Sequence, residues 1–182
     1  MVMRITVIKI SLIFLFASIL AGCKKNYIVS DKQVILFQVE YINYAWDYQH
    51  RGYFIDNEGN ILTYNNPQEW NFPDNGSVIS QDKLFENLSK CTISERIIPR
   101  EELEKFSKHI RNIASSKVSA PKNVGADMGS ITYNCYQFDE GSLTYKSFLI
   151  KMEGDNTCEN LNFFSKKVAS WMKEINGNIF MK

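Results

Sequence analysis

Apolar and polar residues alternate over residues 33–43, and such alternation predicts a β-strand. One face of this stretch carries only apolar side chains: Ile35, Phe37, Val39 and Tyr41. The other face mixes Leu36 with the polar residues Gln38 and Glu40. This pattern is typical of a strand buried on one side, so we expect the first face to contact the core.

Residues 52–56 and 60–65 alternate in the same way on either side of a short polar connection. Gly59 in this connection can adopt the positive φ angle that a tight turn requires. The sequence therefore predicts a β-hairpin. Its expected register places Tyr53 opposite Tyr64, with both rings on one face.

A second predicted hairpin joins residues 130–139 to residues 142–152 and turns at residues 140–141. Its expected register places Tyr136 opposite Tyr145. Together with the first strand, the two hairpins give a sheet of about five strands in two hairpin groups. Strands joined by hairpins are antiparallel, so the sheet is expected to be mainly antiparallel.

Apolar positions that recur every three or four residues predict three helices. The first begins at the capping residue Ser80, and the second has Pro99 in its first turn and ends near Ser116. The third is expected to begin near Asn160 and to end before Gly177. Two helices thus lie between the hairpins and one is C-terminal, which predicts an α+β domain.

The first residues of the chain follow a different pattern. Two basic residues, Arg4 and Lys9, precede an almost wholly apolar run, residues 10–19. The run is shorter than the roughly 20 residues that a membrane-spanning helix needs, but it suits the apolar region of a secretion signal. It ends in Leu20-Ala21-Gly22-Cys23, in which a leucine and two small residues precede a cysteine.

These residues resemble the lipobox of bacterial lipoproteins. The resemblance implies cleavage between Gly22 and Cys23 and attachment to Cys23 of a diacylglyceryl group with fatty acids such as palmitate. The membrane is then a partner through this lipid, because two or more acyl chains hold a protein firmly on a bilayer. An ordinary signal peptide with an incidental cysteine is the alternative.

The chain is thus expected to contain a signal peptide (1–22), an acylated cysteine with a tether (23–32) and a single globular domain (33–182). The implied location is the cell envelope. Lys24, which follows the anchor, favours the outer membrane over the inner membrane in a Gram-negative cell. In a Gram-positive cell the same signal implies the outer face of the plasma membrane.

Composition narrows the function classes. Removal of residues 1–22 from the 182 leaves 160 residues with a net charge of −1, because the leader carries two basic residues and no acidic ones. A nearly neutral chain with no basic block gives no support for nucleic-acid binding. The three remaining cysteines allow a disulfide between Cys91 and Cys135, and the alternative is that these two and Cys158 are all reduced.

Few residues could carry catalysis. The sequence has no signature of a metalloprotease, a serine hydrolase or a nucleotide-binding loop, so no metal or cofactor is expected. His50 follows Asp47 by three residues, and a hydrogen bond between them would make His50 a general base. A small envelope hydrolase or transferase is therefore the alternative function, although no motif indicates a nucleophile. His109 is expected on the surface.

Aromatic residues are densest between Phe37 and Phe72. Four of them lie in predicted loops: Trp46, Tyr48, Trp70 and Phe72. Exposed rings beside amides and carboxylates can stack on sugars or anchor a protein partner. With His50 they form the candidate binding site, for an envelope protein or a glycan, and packing within the domain is the alternative. The favoured interpretation is a membrane-anchored binding module whose specific role is unknown.

Residues 34–71 also look similar to small bacterial lipoproteins of unassigned function. The similarity continues through residues 121–133 and the last helix. It implies a single secreted domain, and it supplies neither catalytic residues nor a mechanism.

Overall fold

The structure is a computed structural model that describes residues 32–45 and 47–180. The lipobox (20–23), most of the tether (24–31) and Trp46 lie outside these residues. Within the part of the chain that is described, no helix combines the length and apolar character needed to cross a bilayer.

Nine strands and four helices follow one another in the described residues. In chain order they are β1 (Ile35–Asn43), β2 (Gln49–Asp56), β3 (Asn60–Asn65), β4 (Val78–Ser80), α1 (Gln81–Ser89), β5 (Thr92–Ile97), α2 (Arg100–Ser107), α3 (Ile110–Ala114), β6 (Lys122–Asn123), β7 (Ser130–Asp139), β8 (Thr144–Gly154), β9 (Asn156–Glu159) and α4 (Ser165–Phe180). The sheet order is β5-β3-β2-β1-β7-β8-β9-β6, and β4 also pairs with β8. Every strand pair is antiparallel.

The predicted α+β class is confirmed, but the prediction of about five strands is wrong, because the sheet has nine. The strands that were expected are β1, β2, β3, β7 and β8. The missed strands, β4, β5, β6 and β9, contain only two to six residues each. β4, β6 and β9 are too short to show a period of two. β5 is as long as β3, but its residues are mostly exposed and do not alternate between apolar and polar.

The three predicted helical regions are present, but the bounds of the second and third differ from the prediction. α1 begins as expected after its capping residue Ser80. The second expected helix is divided at residues 108–109 into α2 and α3. α4 begins at Ser165 rather than near Asn160, and Gly177 lies inside it rather than after its end.

One face of the sheet, which we call the helix face, packs against α2, α3 and α4. Its strands contribute buried rings and aliphatic side chains, including Phe37, Tyr53, Ile55 and Tyr133. The helices contribute apolar residues at helical spacing: Leu103, Phe106, Ile110, Ile113, Val168, Ala169, Trp171, Met172 and Ile175. The Tyr53 hydroxyl also donates a hydrogen bond to the Met172 carbonyl (2.6 Å), which ties the sheet to α4.

The opposite face, which we call the cleft face, packs against α1 and the loop of residues 66–72. Its buried residues are Ile35, Phe54, Tyr64, Ile79, Leu84, Tyr136 and Tyr145. The sheet is therefore covered on both faces. Among the described residues, every member of both cores lies within residues 34–175, so the segment 24–182 contains all of them.

β1 contributes to both faces in a way that its alternation did not predict. Ile35 lies in the core of the cleft face, whereas Phe37 lies in the core of the helix face. The pairing of β1 with β2 shifts between these two residues. Such a bulge inserts an extra residue and redirects the following side chains. The prediction that Ile35 shares one apolar face with Phe37 and Val39 is therefore wrong.

The first hairpin differs from its predicted register by one residue. Tyr64 lies opposite Gly52, and Tyr53 lies opposite Thr63. The connection between Asp56 and Asn60 contains three residues, and this odd number sets the pairing of the two strands. A shift of one residue sends side chains to opposite faces of a sheet. Tyr53 consequently belongs to the helix face and Tyr64 to the cleft face.

The second hairpin differs from its predicted register by two residues. Tyr145 lies opposite Phe138 rather than Tyr136, because residues 140–143 rather than 140–141 form the connection. Leu143 in this connection has a φ angle of 51°. A shift of two residues keeps side chains on the same face, so the Tyr136 and Tyr145 rings remain neighbours, with centroids 6.3 Å apart.

The possible disulfide between Cys91 and Cys135 is absent. All three cysteines of the described residues, Cys91, Cys135 and Cys158, are free thiols. Cys91 packs against the core of the cleft face, whereas Cys135 belongs to the core of the helix face. The sheet lies between them, so the predicted pairing is wrong.

Candidate functional site

A cleft of about 440 Å³ opens at the cleft face, beside the ends of β2 and β3. Its lining residues are Tyr48, Asn66, Pro67, Gln68, Glu69, Trp70 and Phe72. The structure thus brings together three of the predicted binding residues, Tyr48, Trp70 and Phe72. They come from two loops that are more than fifteen residues apart in sequence but adjacent in the fold.

His50 lies beneath these rings and is fully buried. The centroid of its imidazole lies 5.1 Å from that of Trp70 and 5.3 Å from that of Phe72. It lies 5.1 Å from the Tyr64 ring and 6.1 Å from the Tyr48 ring. The sequence prediction that His50 belongs with these aromatic residues therefore agrees with the geometry, but His50 lies behind the rings that line the cleft and does not line it itself.

The hydrogen-bond partner of His50 differs from the prediction. His50 Nε2 lies 2.8 Å from Glu40 Oε1, and since a carboxylate only accepts, Nε2 carries the proton. Asp47 is exposed and does not contact the imidazole. His50 Nδ1 is buried without a hydrogen-bond partner among the described residues. The expected Asp47–His50 hydrogen bond is therefore absent, and the imidazole instead packs among the rings of Tyr64, Trp70 and Phe72.

A polar network supports the floor of the cleft from below. The Gln38 amide donates to the Tyr64 hydroxyl (2.9 Å), and the Tyr136 hydroxyl donates to Gln38 Oε1. Glu40 is the next residue of β1 on the same face and binds His50. Buried polar groups that are mutually satisfied fix the orientation of the rings that carry them.

The loop of residues 66–72 is fastened to β2 at its first residue. The Asn66 amide donates to the His50 carbonyl (2.6 Å), and Asn66 Oδ1 accepts from the His50 amide (2.7 Å). Asn66 has a φ angle of 45° and Glu69 one of 52°. Left-handed conformations at residues other than glycine persist only where surrounding contacts hold them.

The same loop is fastened to α1 at its other end. Asn87 Oδ1 accepts from the Asn71 amide (2.9 Å), and Asn87 Nδ2 donates to the Asn71 carbonyl (2.7 Å). Lys90 Nζ donates to the Glu69 carbonyl (2.6 Å). Trp70 and Phe72 therefore lie on a segment that is held on both sides. The sequence analysis did not identify Asn87. The one feature that could have indicated its role is that a polar amide occupies the apolar side of a predicted helix.

The rim of the cleft is accessible to a ligand. The Tyr48 side chain is 46% exposed and that of Phe72 is 45% exposed. The exposed ring of Tyr44 lies 5.4 Å from the Tyr48 ring and extends the surface. Burial raises the pKa of Tyr48, and the neighbouring Tyr44 and Glu40 raise it further, so the phenol remains a hydrogen-bond donor at neutral pH.

Other reactive groups are poorly placed for chemistry. Burial raises the pKa of the Cys91 thiol to about 12 and also raises the pKa values of Cys135 and Cys158. Thiols with raised pKa values are weak nucleophiles. His109, expected on the surface, is partly buried and stacks on the Phe164 ring at 3.9 Å. In the part of the chain that is described, no group of acidic, histidine or cysteine side chains is arranged to hold a metal.

No protein-family model matches this chain, and neither does any curated protein or solved structure. The function of the cleft is therefore inferred from its geometry and chemistry alone.

Proposed function

We propose that this protein is a lipid-anchored binding module of the cell envelope and that its aromatic cleft binds an envelope saccharide. The observation that carries the proposal is the convergence of Tyr48, Trp70 and Phe72 on one cleft with polar side chains at its rim. The faces of a sugar ring carry C–H groups that pack on aromatic rings, while its edge carries hydroxyls. The cleft offers a partner for each kind of group.

The polar residues of the rim suit hydroxyl groups. Gln68 and Glu69 are exposed at the cleft, and Asn66 lies beside them. An amide both donates and accepts hydrogen bonds, and a carboxylate accepts them, so these side chains match the mixed character of a hydroxyl. The volume of about 440 Å³ falls within the range of roughly 300–1,000 Å³ that is common for small-molecule sites.

The rigidity of the cleft also supports binding. Its floor is held by the Glu40–His50 contact, and its loop is held by Asn66 and Asn87. Groups that are already ordered lose little conformational entropy when a ligand binds. A platform of this kind favours recognition of a ligand over a reaction that requires a mobile catalytic group.

The environment of His50 argues against the alternative function of a hydrolase or transferase. The exposed fraction of this residue is 0%, and its Nε2 atom is engaged by Glu40. A general base must come within hydrogen-bond distance of the proton that it abstracts. A ligand in the cleft would be separated from the imidazole nitrogens by the aromatic rings, so binding is the proposal that we retain.

The role of the cleft is tested by replacing its exposed rings in the segment 24–182. Tyr48→Ala combined with Phe72→Ala is expected to weaken binding at least tenfold, because stacking area is lost. The measurement is calorimetric titration with soluble fragments of peptidoglycan and of lipopolysaccharide. Phe163→Ala, at an exposed phenylalanine outside the cleft, is the matched control and is expected to leave the affinity unchanged.

Two results would contradict this proposal. The first is that the unaltered segment binds none of the saccharide fragments. The second is that the double variant binds them as well as the unaltered segment does while its circular dichroism spectrum shows a native fold.

The anchor is tested separately. We propose that Cys23 carries the lipid, so Cys23→Ser is expected to move the protein from the membrane fraction to the soluble fraction. Fractionation is done in about 1 M salt, which screens electrostatic attachment to the bilayer. Ser18→Ala, in the apolar run of the leader, is the control and is expected to remain with membranes. A Cys23→Ser protein that still sediments with membranes under these conditions would refute lipid anchoring.

A further inference from the structure

A second surface, which shares no residue with the lining of the cleft, exposes apolar residues ahead of α4. Phe163 is 89% exposed and Leu161 is 66% exposed. Val118, which is also exposed, is brought next to this segment by a β-bridge to Asn160. We call Val118, Leu161 and Phe163 the apolar patch. Large side chains exposed together at one place indicate a contact surface.

The patch is held in shape by buried hydrogen bonds. Asn160 is buried, and its side-chain amide donates to the carbonyls of Ile113 (3.0 Å) and Leu149 (3.2 Å). Its Oδ1 atom accepts from the Asn162 amide (3.0 Å) and from the Ser165 hydroxyl (3.0 Å). The exposure of the patch is therefore a property of a fixed segment.

Aromatic packing supports the exposed phenylalanine from behind. The Phe163 ring meets that of Phe164 edge to face, with centroids 5.2 Å apart. Phe164 in turn stacks on His109 at 3.9 Å. The outer ring thus rests on a second layer of rings that joins α3 to the start of α4.

Positive charge surrounds the patch. Lys108 directly precedes His109 in the chain, and Lys167 lies three residues after Phe164 in the first turn of α4. Burial lowers the pKa of His109, and the charges of Lys108 and Lys167 lower it further. The Lys117 carbonyl accepts from the Leu161 amide (2.9 Å), and Lys166 is in the first turn of α4. All four lysines are exposed.

The nearby acidic side chains do not neutralise these lysines. Glu104 binds Arg100 (2.9 Å), and Glu159 binds Lys151 (3.2 Å). Within residues 32–45 and 47–180, none of the four lysines has a carboxylate at salt-bridge distance. The patch and its four lysines, which we call the basic apolar surface, therefore carry a local excess of positive charge.

We infer that the basic apolar surface docks on an anionic lipid bilayer. Exposed Phe and Leu side chains can enter the boundary between headgroups and acyl chains, and lysines around them are attracted to anionic headgroups. The chain outside the described residues also favours this occupant. If Cys23 is acylated as proposed, residues 24–31 extend to about 28 Å at most and keep the domain close to the bilayer.

Vesicle sedimentation of the segment 24–182, which lacks the lipid, tests this inference apart from the anchor and the cleft. We expect binding to phosphatidylcholine vesicles that contain about 30 mol% phosphatidylglycerol, weak binding to phosphatidylcholine alone and release in high salt. Lys166→Glu with Lys167→Glu is expected to weaken partitioning roughly tenfold or more, as is Leu161→Ser with Phe163→Ser.

Matched controls are available at another surface. Ile93 and Ile97 are exposed on β5, so Ile93→Ser with Ile97→Ser removes comparable apolar area and is expected to leave vesicle binding unchanged. Tyr48→Ala with Phe72→Ala is expected to leave it unchanged as well, which separates this surface from the cleft. Circular dichroism is used to check that each variant keeps the native fold.

The inference is overturned if the segment binds neither kind of vesicle or binds both equally. It is also overturned if the Leu161→Ser and Phe163→Ser variant partitions like the unaltered segment. A dimer in analytical ultracentrifugation that dissociates in this variant, without vesicle binding, would identify a second copy of the chain as the occupant instead.

Discussion

At Gly52 the absence of a side chain lets the Tyr64 ring lie across β2. A Cβ atom at this position would lie 2.5 Å from the Tyr64 hydroxyl oxygen and 2.1 Å from the Val39 carbonyl oxygen. The ring can therefore pack over the backbone, and its hydroxyl reaches the Gln38 amide. The Tyr64 ring lies beneath Trp70, with centroids 4.4 Å apart, and a side chain at position 52 would obstruct this arrangement.

Gly52→Ala is expected to lower the free energy of unfolding by about 2 kcal/mol or more, because the added methyl group overpacks the cleft face. Urea denaturation measures the change. Gly177→Ala is the matched control, since a Cβ atom there has no neighbour within 4 Å among the described residues, and alanine inside α4 is expected to raise stability by about 0.5–1 kcal/mol. Equal stabilities for the two variants would contradict the packing described for Gly52.

The residues of the candidate site were only partly predictable from the sequence. The density of rings and the turn-forming residues around them were sufficient to single out Tyr48, Trp70 and Phe72. The partner of His50 was not predictable, because Glu40 is close to it only through the register of β1 and β2. Spacing along the chain suggested Asp47, but residues diagonally opposite on neighbouring strands are closer than residues in a loop.

Among the elements, α1 and the loop of residues 66–72 are joined by hydrogen bonds. Asn87 pairs with both backbone polar groups of Asn71, as a neighbouring strand would. This contact sits between Trp70 and Phe72 in sequence and fixes the direction of both rings. The cleft therefore depends on a side chain of a helix that does not line it.

Asn87→Ala is expected to lower the free energy of unfolding by about 2 kcal/mol, since it leaves two backbone groups of the loop without their partner. Hydrogen exchange at the Asn71 amide should accelerate more than that at amides of β1. Glu86→Ala, which removes only an exposed contact to the Asn71 side chain, is the control and is expected to have a small effect. Unchanged exchange at Asn71 would contradict the proposed role of Asn87.

The elements themselves were predicted where their sequence carries a clear pattern. Period-two alternation located β1, β2, β3, β7 and β8, and a capping serine located the start of α1. Registers were not predictable, because one or two additional residues in a connection, or a bulge in a strand, decide which side chains are opposite. β6, with two residues, owes its conformation to pairing with β9 and has no pattern of its own.

In the whole molecule, the two proposed surfaces belong to opposite faces of the sheet. The cleft lies on the face that packs against α1, and the basic apolar surface lies beside α3 and α4, which cover the other face. A domain that rests on the bilayer through Phe163 would therefore hold Tyr48 and Phe72 away from the lipid. This arrangement suits a module that is fixed to a membrane and binds a ligand in the space beside it.

The central claim, that the cleft binds an envelope saccharide, is tested most directly in intact cells. A photoreactive benzoylphenylalanine in place of Phe72, in the full anchored chain, would capture whatever occupies the cleft. We expect adducts that carry saccharide, identified by mass spectrometry, and their loss when Tyr48→Ala is added. Capture of a single protein without saccharide, or adducts that persist in the Tyr48→Ala chain, would contradict the claim.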